Sequence, residues 1–232
     1  MDNIPYTIDH IPTTTPYNRR SGRKLISVDY ITIHNTGNPT SAAQNERAWL
    51  TNPANTVTAS WHIVVDQKEV IEAIPLDEIA WHAGDGGAGT GNTRSIGIEI
   101  CESGNYEKTL SNAVALVAQM LHERGWGIDK LRRHYDWSKK ICPRLMYDNG
   151  KWTGWEQFKS AVQKKLDQLD QTEGNVMEVK IPQLGNVNIK VGETSFQGIV
   201  IDGVSYAPVR QLADALDKQV EWNEQSKTVT IK

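Results

Sequence analysis

Two hydrophobic periods alternate along the first 170 residues of this 232-residue chain, and that alternation restricts the fold more than any other feature. Four short segments have the period of two that marks strands. In Tyr30–His34, Ile31 and Ile33 share one face, while Tyr30, Thr32 and His34 share the other. Trp61–Val65 and Glu69–Ile74 flank Asp66-Gln67-Lys68 and predict a hairpin. Ser95–Cys101 alternates again, with Glu99 and Cys101 opposite Ile98 and Ile100. Helical periods separate and follow these strands. Ser41–Leu50 opens with an S-x-x-Q capping signal. Leu110–Arg124 carries Leu110, Ala113, Val114, Val117 and Leu121 on one stripe and stops at Gly125. A third helix begins at Thr153 with T-x-x-E and aligns Trp155, Phe158, Val162, Leu166 and Leu169. Strands interleaved with helices predict an α/β domain with a covered sheet.

The composition changes near residue 170. All six His and seven of the eight Trp lie before Asp170. The polar stretch 171–175 ends in Gly174-Asn175 and has the character of a linker. The expected organisation is a large domain over residues 1–170, the linker, and a small α+β domain over 176–232. Within the small domain the expected order is strand, strand, helix, strand. Pro208 starts the helix, Val209, Leu212, Ala213 and Leu216 form its buried stripe, and Lys227–Ile231 is the closing strand. So small a unit has a thin core and is expected to lean on a neighbour or on another copy.

Composition excludes several function classes. With 25 Lys+Arg against 28 Asp+Glu, the net charge of -3 offers nucleic acid no electrostatic footing. No apolar run approaches the ~18 residues of a membrane span, so membrane insertion is not expected. Met1–Tyr17 lacks the basic-then-apolar pattern of a secretory signal, which points to synthesis in the cytoplasm. Two cysteines, Cys101 and Cys142, make no disulfide framework. Nothing in the sequence indicates the oligomeric state.

Chemistry concentrates in His134-Tyr135-Asp136-Trp137-Ser138-Lys139-Lys140-Ile141-Cys142-Pro143. A His and a Cys eight apart would stand about 12 Å apart along a helix and about 27 Å along a strand, so only a loop can bring them together. Alone, such a pair is more often structural than metal-ligating. His34 strengthens the case, because it ends an otherwise apolar strand beside Asn35-Thr36-Gly37, where functional residues tend to sit. Two His and one Cys with no fourth ligand match a catalytic zinc site, which keeps a position open for water.

Five motifs now stand in order: Ile31-Thr32-Ile33-His34-Asn35-Thr36, Trp61-His62-Ile63-Val64, Ala80-Trp81-His82-Ala83-Gly84-Asp85, Ser95-Ile96-Gly97-Ile98-Glu99-Ile100, and His134-x-Asp136 with Lys140-x-Cys142-Pro143. Together they closely resemble the zinc N-acetylmuramoyl-L-alanine amidases of the type-2 amidase family, with phage and prophage endolysins of Gram-positive hosts as the nearest branch. Peptidoglycan-recognition proteins share that fold. The resemblance covers about residues 20–168. It implies a central mixed β-sheet flanked by helices, with Zn2+ at the floor of a substrate groove and bacterial peptidoglycan as the partner. By position it makes His34, His134 and Cys142 the metal ligands, Glu99 the catalytic acid/base and Lys140 a catalytic lysine. Some relatives carry a tyrosine where Trp61 stands, and a mechanism that needs a phenolic proton does not carry over. The implied reaction is hydrolysis of the amide between N-acetylmuramic acid and L-alanine. The implied role is that of an endolysin or autolysin released onto the wall.

The remaining site residues have competing readings. His62, in mid-strand, fits packing or support of a neighbour better than substrate contact. His82 divides evenly between substrate binding and holding its glycine-rich loop, and Trp81 between a groove wall and the core. His122 is expected to be solvated, and Cys101 to be a small buried apolar residue. Two other functions compete with the amidase. A non-catalytic peptidoglycan-recognition protein would lack the ligand at Cys142. A metal-free hydrolase would use Cys142 as nucleophile and His134 as base. The C-terminal piece, from Phe196 through Ile231, resembles the copper amine oxidase N-terminal-like domain. No His, Cys or Met after Met177 offers copper a site, so the expected role is wall binding or self-association.

Overall fold

The computed structural model describes residues 4–174, 185–201 and 203–232. The chain divides into two compact units, one ending at Glu173 and the other beginning at Gly174.

The first unit is built on a six-stranded mixed sheet. Its strands are β1 (Tyr6–Ile8), β2 (Tyr30–Asn35), β3 (Ile63–Val65), β4 (Val70–Glu72), β5 (Ser95–Ile100) and β6 (Leu131–Arg133). They lie in the order β1-β4-β3-β5-β2-β6, and all pairs are parallel except β3 with β4. The helices are α1 (Ala43–Thr51), α2 (Thr90–Arg94), α3 (Tyr106–His122), α4 (His134–Ser138) and α5 (Thr153–Gly174).

The period-two pattern of β2 and β5 divides the sheet into two faces. Ile31, Ile33, Ile96, Ile98 and Ile100 are fully buried in one cluster with Leu116, Val117 and Leu121 of α3 and Phe158 and Val162 of α5. Each such aliphatic or aromatic side chain contributes about 1.5–3 kcal/mol by leaving water. The opposite face of the same strands carries Thr32, His34, Ser95 and Glu99. Thr32 Oγ1 lies 2.7 Å from Ser95 Oγ and accepts the Trp137 indole N–H at 2.9 Å. One face of these two central strands is therefore hydrophobic glue, and the other a row of polar groups leading to the strand ends.

Several boundaries differ from the sequence reading. Trp61 and His62 precede β3, and Glu69, Ala73 and Ile74 fall outside β4. Helix α1 starts at Ala43 and does not use the Ser41–Gln44 cap. The Asp66 carboxylate at the β3–β4 turn accepts the Ala43 N–H at 3.0 Å and satisfies the helix end from outside. Helix α3 starts four residues before Leu110, because Asn105 caps it by accepting the Lys108 N–H at 3.0 Å. Helix α5 begins at Thr153 as expected, and Thr153 Oγ1 donates to Asp148. Residues 171–174, expected as linker, continue α5, and Asn175 lies outside the described residues. His122 is not simply solvated; it pairs with Asp170 of α5 at 2.8 Å.

A buried cation fixes the wall beside the sheet. Arg19 is fully buried, and its guanidinium donates to the carbonyls of Val57 (2.8 Å), Leu50 (3.0 Å) and Asn55. It also lies 5.9 Å from the Trp49 ring, which stacks on Trp61 at 5.6 Å. Arg19 thus ties the segment after α1 to the aromatic pair that borders the functional cleft.

The second unit contains a three-stranded antiparallel sheet, β7 (Gly185–Val191), β8 (Thr194–Ile201) and β9 (Val204–Tyr206). Helix α6 (Val209–Ala215) and the hairpin β10 (Val220–Asn223) with β11 (Thr228–Ile231) follow. There is thus one strand more on each side of the helix than the sequence suggested. Of the expected helical stripe, only Ala213 is buried; Leu212 is half-buried, and Val209 and Leu216 are exposed. A unit of this size has too little sheet to cover a whole helix face.

Replacing Arg19 with Met leaves the buried carbonyls of Leu50 and Asn55 without this donor, each worth about 1–3 kcal/mol when unsatisfied. The expected outcome is a lower midpoint of thermal unfolding, with weakened Trp49–Trp61 stacking visible in near-UV circular dichroism. An unchanged midpoint would contradict the bracing role.

Candidate metal centre and active site

The polar row on the sheet converges at the carboxyl ends of the parallel strands, where open α/β sheets present their ligand sites. In the β2–β5 register His34 stands directly beside Glu99. Strand β6 then places His134 next to them, as the first residue of α4. Asp136 caps that helix by accepting the Arg133 N–H at 2.7 Å, and it also pairs with the Arg133 guanidinium at 2.6 Å. The chain leaves α4 through Lys139 in a left-handed conformation (φ 64°) and returns over β2. Two hydrogen bonds hold the return. Tyr135 N donates to the Cys142 carbonyl at 3.1 Å, and Leu145 N donates to Asn35 Oδ1 at 3.1 Å.

The result is a triad of ligand atoms. His34 Nδ1 and His134 Nδ1 are 3.1 Å apart, and Cys142 Sγ is 3.7 Å from His34 Nδ1. All three donors lie within 4.8 Å of one another. Tetrahedral zinc with Zn–N near 2.05 Å and Zn–S near 2.3 Å needs about 3.3 Å between nitrogens and about 3.6 Å between nitrogen and sulfur. The donor set fits that ion in its chemistry, and the two spacings measured from His34 Nδ1 match it.

The surroundings keep the ligands uncharged. Burial, with the neighbouring His82, His134 and Lys140, pushes the His34 imidazolium well below its ordinary range. Burial and then Lys140 lower His134 to about 4. The Cys142 thiol is pushed up to about 12, by burial and then by Glu99. Such a thiol is a poor free nucleophile, which argues against a metal-free cysteine hydrolase. Glu99 is raised to about 8, by burial and then by Glu46. Its Oε1 lies 4.0 Å from His34 Nδ1, and its buried Oε2 has no hydrogen-bond partner. No arginine pairs with it among the described residues. A buried carboxylate oxygen without a partner, on a residue beside three side chains that could hold a metal, is the kind of exception that marks a reactive position.

The triad sits in a cleft of about 440 Å³ lined also by Glu99, Lys140, Trp49, Trp61, Trp81 and Ser138. Of the sequence-expected site residues, the cleft gathers His34, His134, Cys142, Glu99, Lys140, Trp81 and His82. His62 is the one left out. It is fully buried, its Nδ1 accepts the Gly97 N–H at 2.9 Å, and Nε2 lies 2.8 Å from the Glu78 carbonyl. With both ring nitrogens engaged by backbone, it has none for substrate. His82 borders the cleft, but its nitrogens face His34 Nε2 (3.1 Å) and the Ser95 carbonyl (3.3 Å). Trp81 is half-buried and donates its indole N–H to the Asn18 carbonyl at 2.6 Å. Cys101 is fully buried in an apolar cluster, as its neighbours suggested. The sequence reading missed Asn35, Asn92 and the Trp49–Trp61 pair. Asn35 adjoins the ligand His34, a signal that pointed to the loop but not to the bond it makes.

A family model described as N-acetylmuramoyl-L-alanine amidase matches residues 24–145. The chain belongs to this amidase family. Among curated relatives, the N-acetylmuramoyl-L-alanine amidase XlyB of Bacillus subtilis is 48% identical over 146 residues, covering 61% of this chain and 44% of the relative. The amidase CwlA of the same organism is 46% identical over 148 residues, covering 62% of this chain and 52% of the relative. The chain thus spans about half the length of the curated amidases it matches. Among solved structures, the catalytic domain of XlyA aligns with a TM-score of 0.60 at 36% identity, over 68% of this chain and 99% of that one. A second model, described as copper amine oxidase N-terminal domain, matches residues 186–232.

Because Cys142 and Glu99 hold protons at pH 7 while the histidines are already neutral, zinc uptake is expected to release about one to two protons per ion. Calorimetry in buffers of different ionisation enthalpy measures this number. Uptake with no proton release would be inconsistent with a His34, His134 and Cys142 ligand set.

Proposed function

We propose that the N-terminal unit is a zinc-dependent N-acetylmuramoyl-L-alanine amidase. It hydrolyses the amide between N-acetylmuramic acid and L-alanine in bacterial peptidoglycan, in the manner of an endolysin or autolysin. The observation that carries this reading is the convergence of His34 Nδ1, His134 Nδ1 and Cys142 Sγ beside a partnerless buried Glu99 oxygen. Family membership supplies the substrate class.

Zinc held by His34, His134 and Cys142 would supply Lewis-acid polarisation and lower the pKa of water there toward about 7. Beside that positive charge Glu99 would be held as the carboxylate, which accepts the proton from the attacking water as its oxygen adds to the lactyl carbonyl carbon. The Lys140 ammonium, on the wall of the same cleft, opposes the negative charge that grows on the carbonyl oxygen. Glu99 then hands its proton to the alanine nitrogen as the C–N bond breaks. Trp61 has an indole N–H in place of the phenol of some relatives and takes no part in proton transfer. The Trp49–Trp61 stack and Trp81 give the substrate an apolar wall.

No helix among the described residues is long and apolar enough to cross a membrane, which fits an enzyme that meets its substrate from solution. We assign the C-terminal unit, by its resemblance, to wall binding or self-association. The domain organisation is then catalytic for residues 1–170 and accessory for 176–232.

Replacing Glu99 with Gln is expected to lower turnover at least a hundredfold while leaving one zinc per chain. Turnover that survives with zinc bound would remove Glu99 from its role. o-Phenanthroline should abolish activity and added zinc restore it; full activity in chelator, with loss on thiol alkylation, would revive the cysteine-nucleophile mechanism. Deleting residues 175–232 is expected to weaken binding to isolated walls while sparing hydrolysis of soluble muropeptide. Unchanged wall binding would overturn the accessory assignment.

A further inference from the structure

We propose that His82 and Asn92 are positioning residues for the metal site, and that through the single segment His82-Ala83-Gly84 they set the tautomer of His34 and the orientation of both ligand histidines. This inference rests on the zinc reading of the triad given above.

The hydrogen bonds leave one consistent proton arrangement. The Ser95 carbonyl can only accept, so His82 Nε2, 3.3 Å away, carries the proton. His82 Nδ1 then has a lone pair, which faces His34 Nε2 at 3.1 Å. His34 Nε2 must therefore be the donor, and the free lone pair of His34 is on Nδ1, the atom that faces His134 and Cys142. A backbone carbonyl at Ser95 thus determines, through His82, which nitrogen of His34 is free to bind a cation.

The next residue acts on the second ligand. The Nε2 edge of the His134 ring lies against residue 84. Gly84 has φ +69°, and a Cβ there would come within 3.1 Å of His134 Nε2, so both its conformation and its space call for glycine. With Nε2 turned to this segment, His134 Nδ1 faces His34 Nδ1 at 3.1 Å.

Asn92 holds the segment that does this. Its Oδ1 accepts the N–H of His82 at 2.9 Å and of Ala83 at 2.8 Å, and its Nδ2 donates to the Gly86 carbonyl at 3.1 Å. Asp85 anchors Asn92 in turn, accepting its backbone N–H at 3.2 Å and that of Gly91 at 2.6 Å. The strand beneath is shaped for the arrangement. At Gly97 a Cβ would lie 2.5 Å from His82 Cγ, so any larger residue would displace the ring. Outer partners of this kind fix the tautomer and direction of metal-binding imidazoles, and their loss typically costs 10–100-fold in metal affinity.

The test measures zinc affinity of the full chain by competition with a chromogenic chelator, together with the visible spectrum of the cobalt-substituted protein. His82→Leu, which removes the acceptor, is expected to weaken zinc binding about 10–100-fold and to alter the cobalt bands. In His82→Asn, Oδ1 takes the place of Nδ1, and affinity should stay within about threefold of the original protein. Equal affinity for His82→Leu and the original protein would overturn the inference, and so would a loss in His82→Asn as large as in His82→Leu. If the original chain itself binds no zinc, the zinc reading fails; if it binds while His82→Leu is unaffected, only the positioning role fails. Should His82→Leu not fold, nitrogen-15 NMR of the unaltered protein decides the matter. It should show His82 and His34 each protonated at Nε2, and protonation of His82 at Nδ1 would refute the chain of donors.

Discussion

The proposed chemistry of this chain depends on a group of imidazoles that burial holds neutral. His34, His82 and His134 pack ring against ring, with His34 centroids 5.1 Å from His82 and 4.8 Å from His134, all shielded from water. Desolvation disfavours an imidazolium, and adjacent positive charge disfavours it further, so each ring holds one proton and one lone pair. A neutral imidazole whose second nitrogen is committed elsewhere is the form that binds a metal. The hydrophobic face of β2 and β5 makes this possible, because it anchors the strands rigidly enough to keep polar groups buried on the reverse. The isoleucines of one face and the histidines of the other are parts of one device.

Much of this was legible in the sequence, for reasons that can be named. The period of two put Ile31 and Ile33 opposite His34, and Ile98 and Ile100 opposite Glu99, so the sheet and its polar face followed from local pattern. The triad itself needed the ordered motifs, since no local period joins residues 34, 134 and 142. The outer partners stayed hidden. Asn92 is one buried amide in the short helix α2, and its bonds to His82 and Ala83 come from a turn that no periodicity encodes. His62 and His82 look alike in sequence, each following a tryptophan. The structure separates them by what lies at each ring nitrogen: backbone at both for His62, and a ligand histidine at one for His82.

The misplaced helix starts have different causes. At α1 the cap came from Asp66, distant in sequence, so a tertiary partner displaced the local one. At α3 the local cap Asn105 stood outside the apolar period that marked the helix. The second unit shows the opposite limit, where tertiary burial is scarce. Trp222, Val229 and Ile231 of its terminal hairpin remain exposed, and its helix keeps a single buried residue. There the amphipathic pattern was present in the sequence, but the burial it implies is not met within the unit's described residues.

The central claim is that the cleft cuts one specific bond with the help of a metal. Mass spectrometry of purified cell walls digested with the zinc-loaded chain addresses it directly. The account predicts new free amino termini on L-alanine, absent when zinc is removed and with glycan strands left intact. New reducing sugar ends, or new amino termini elsewhere in the stem peptide, would contradict it.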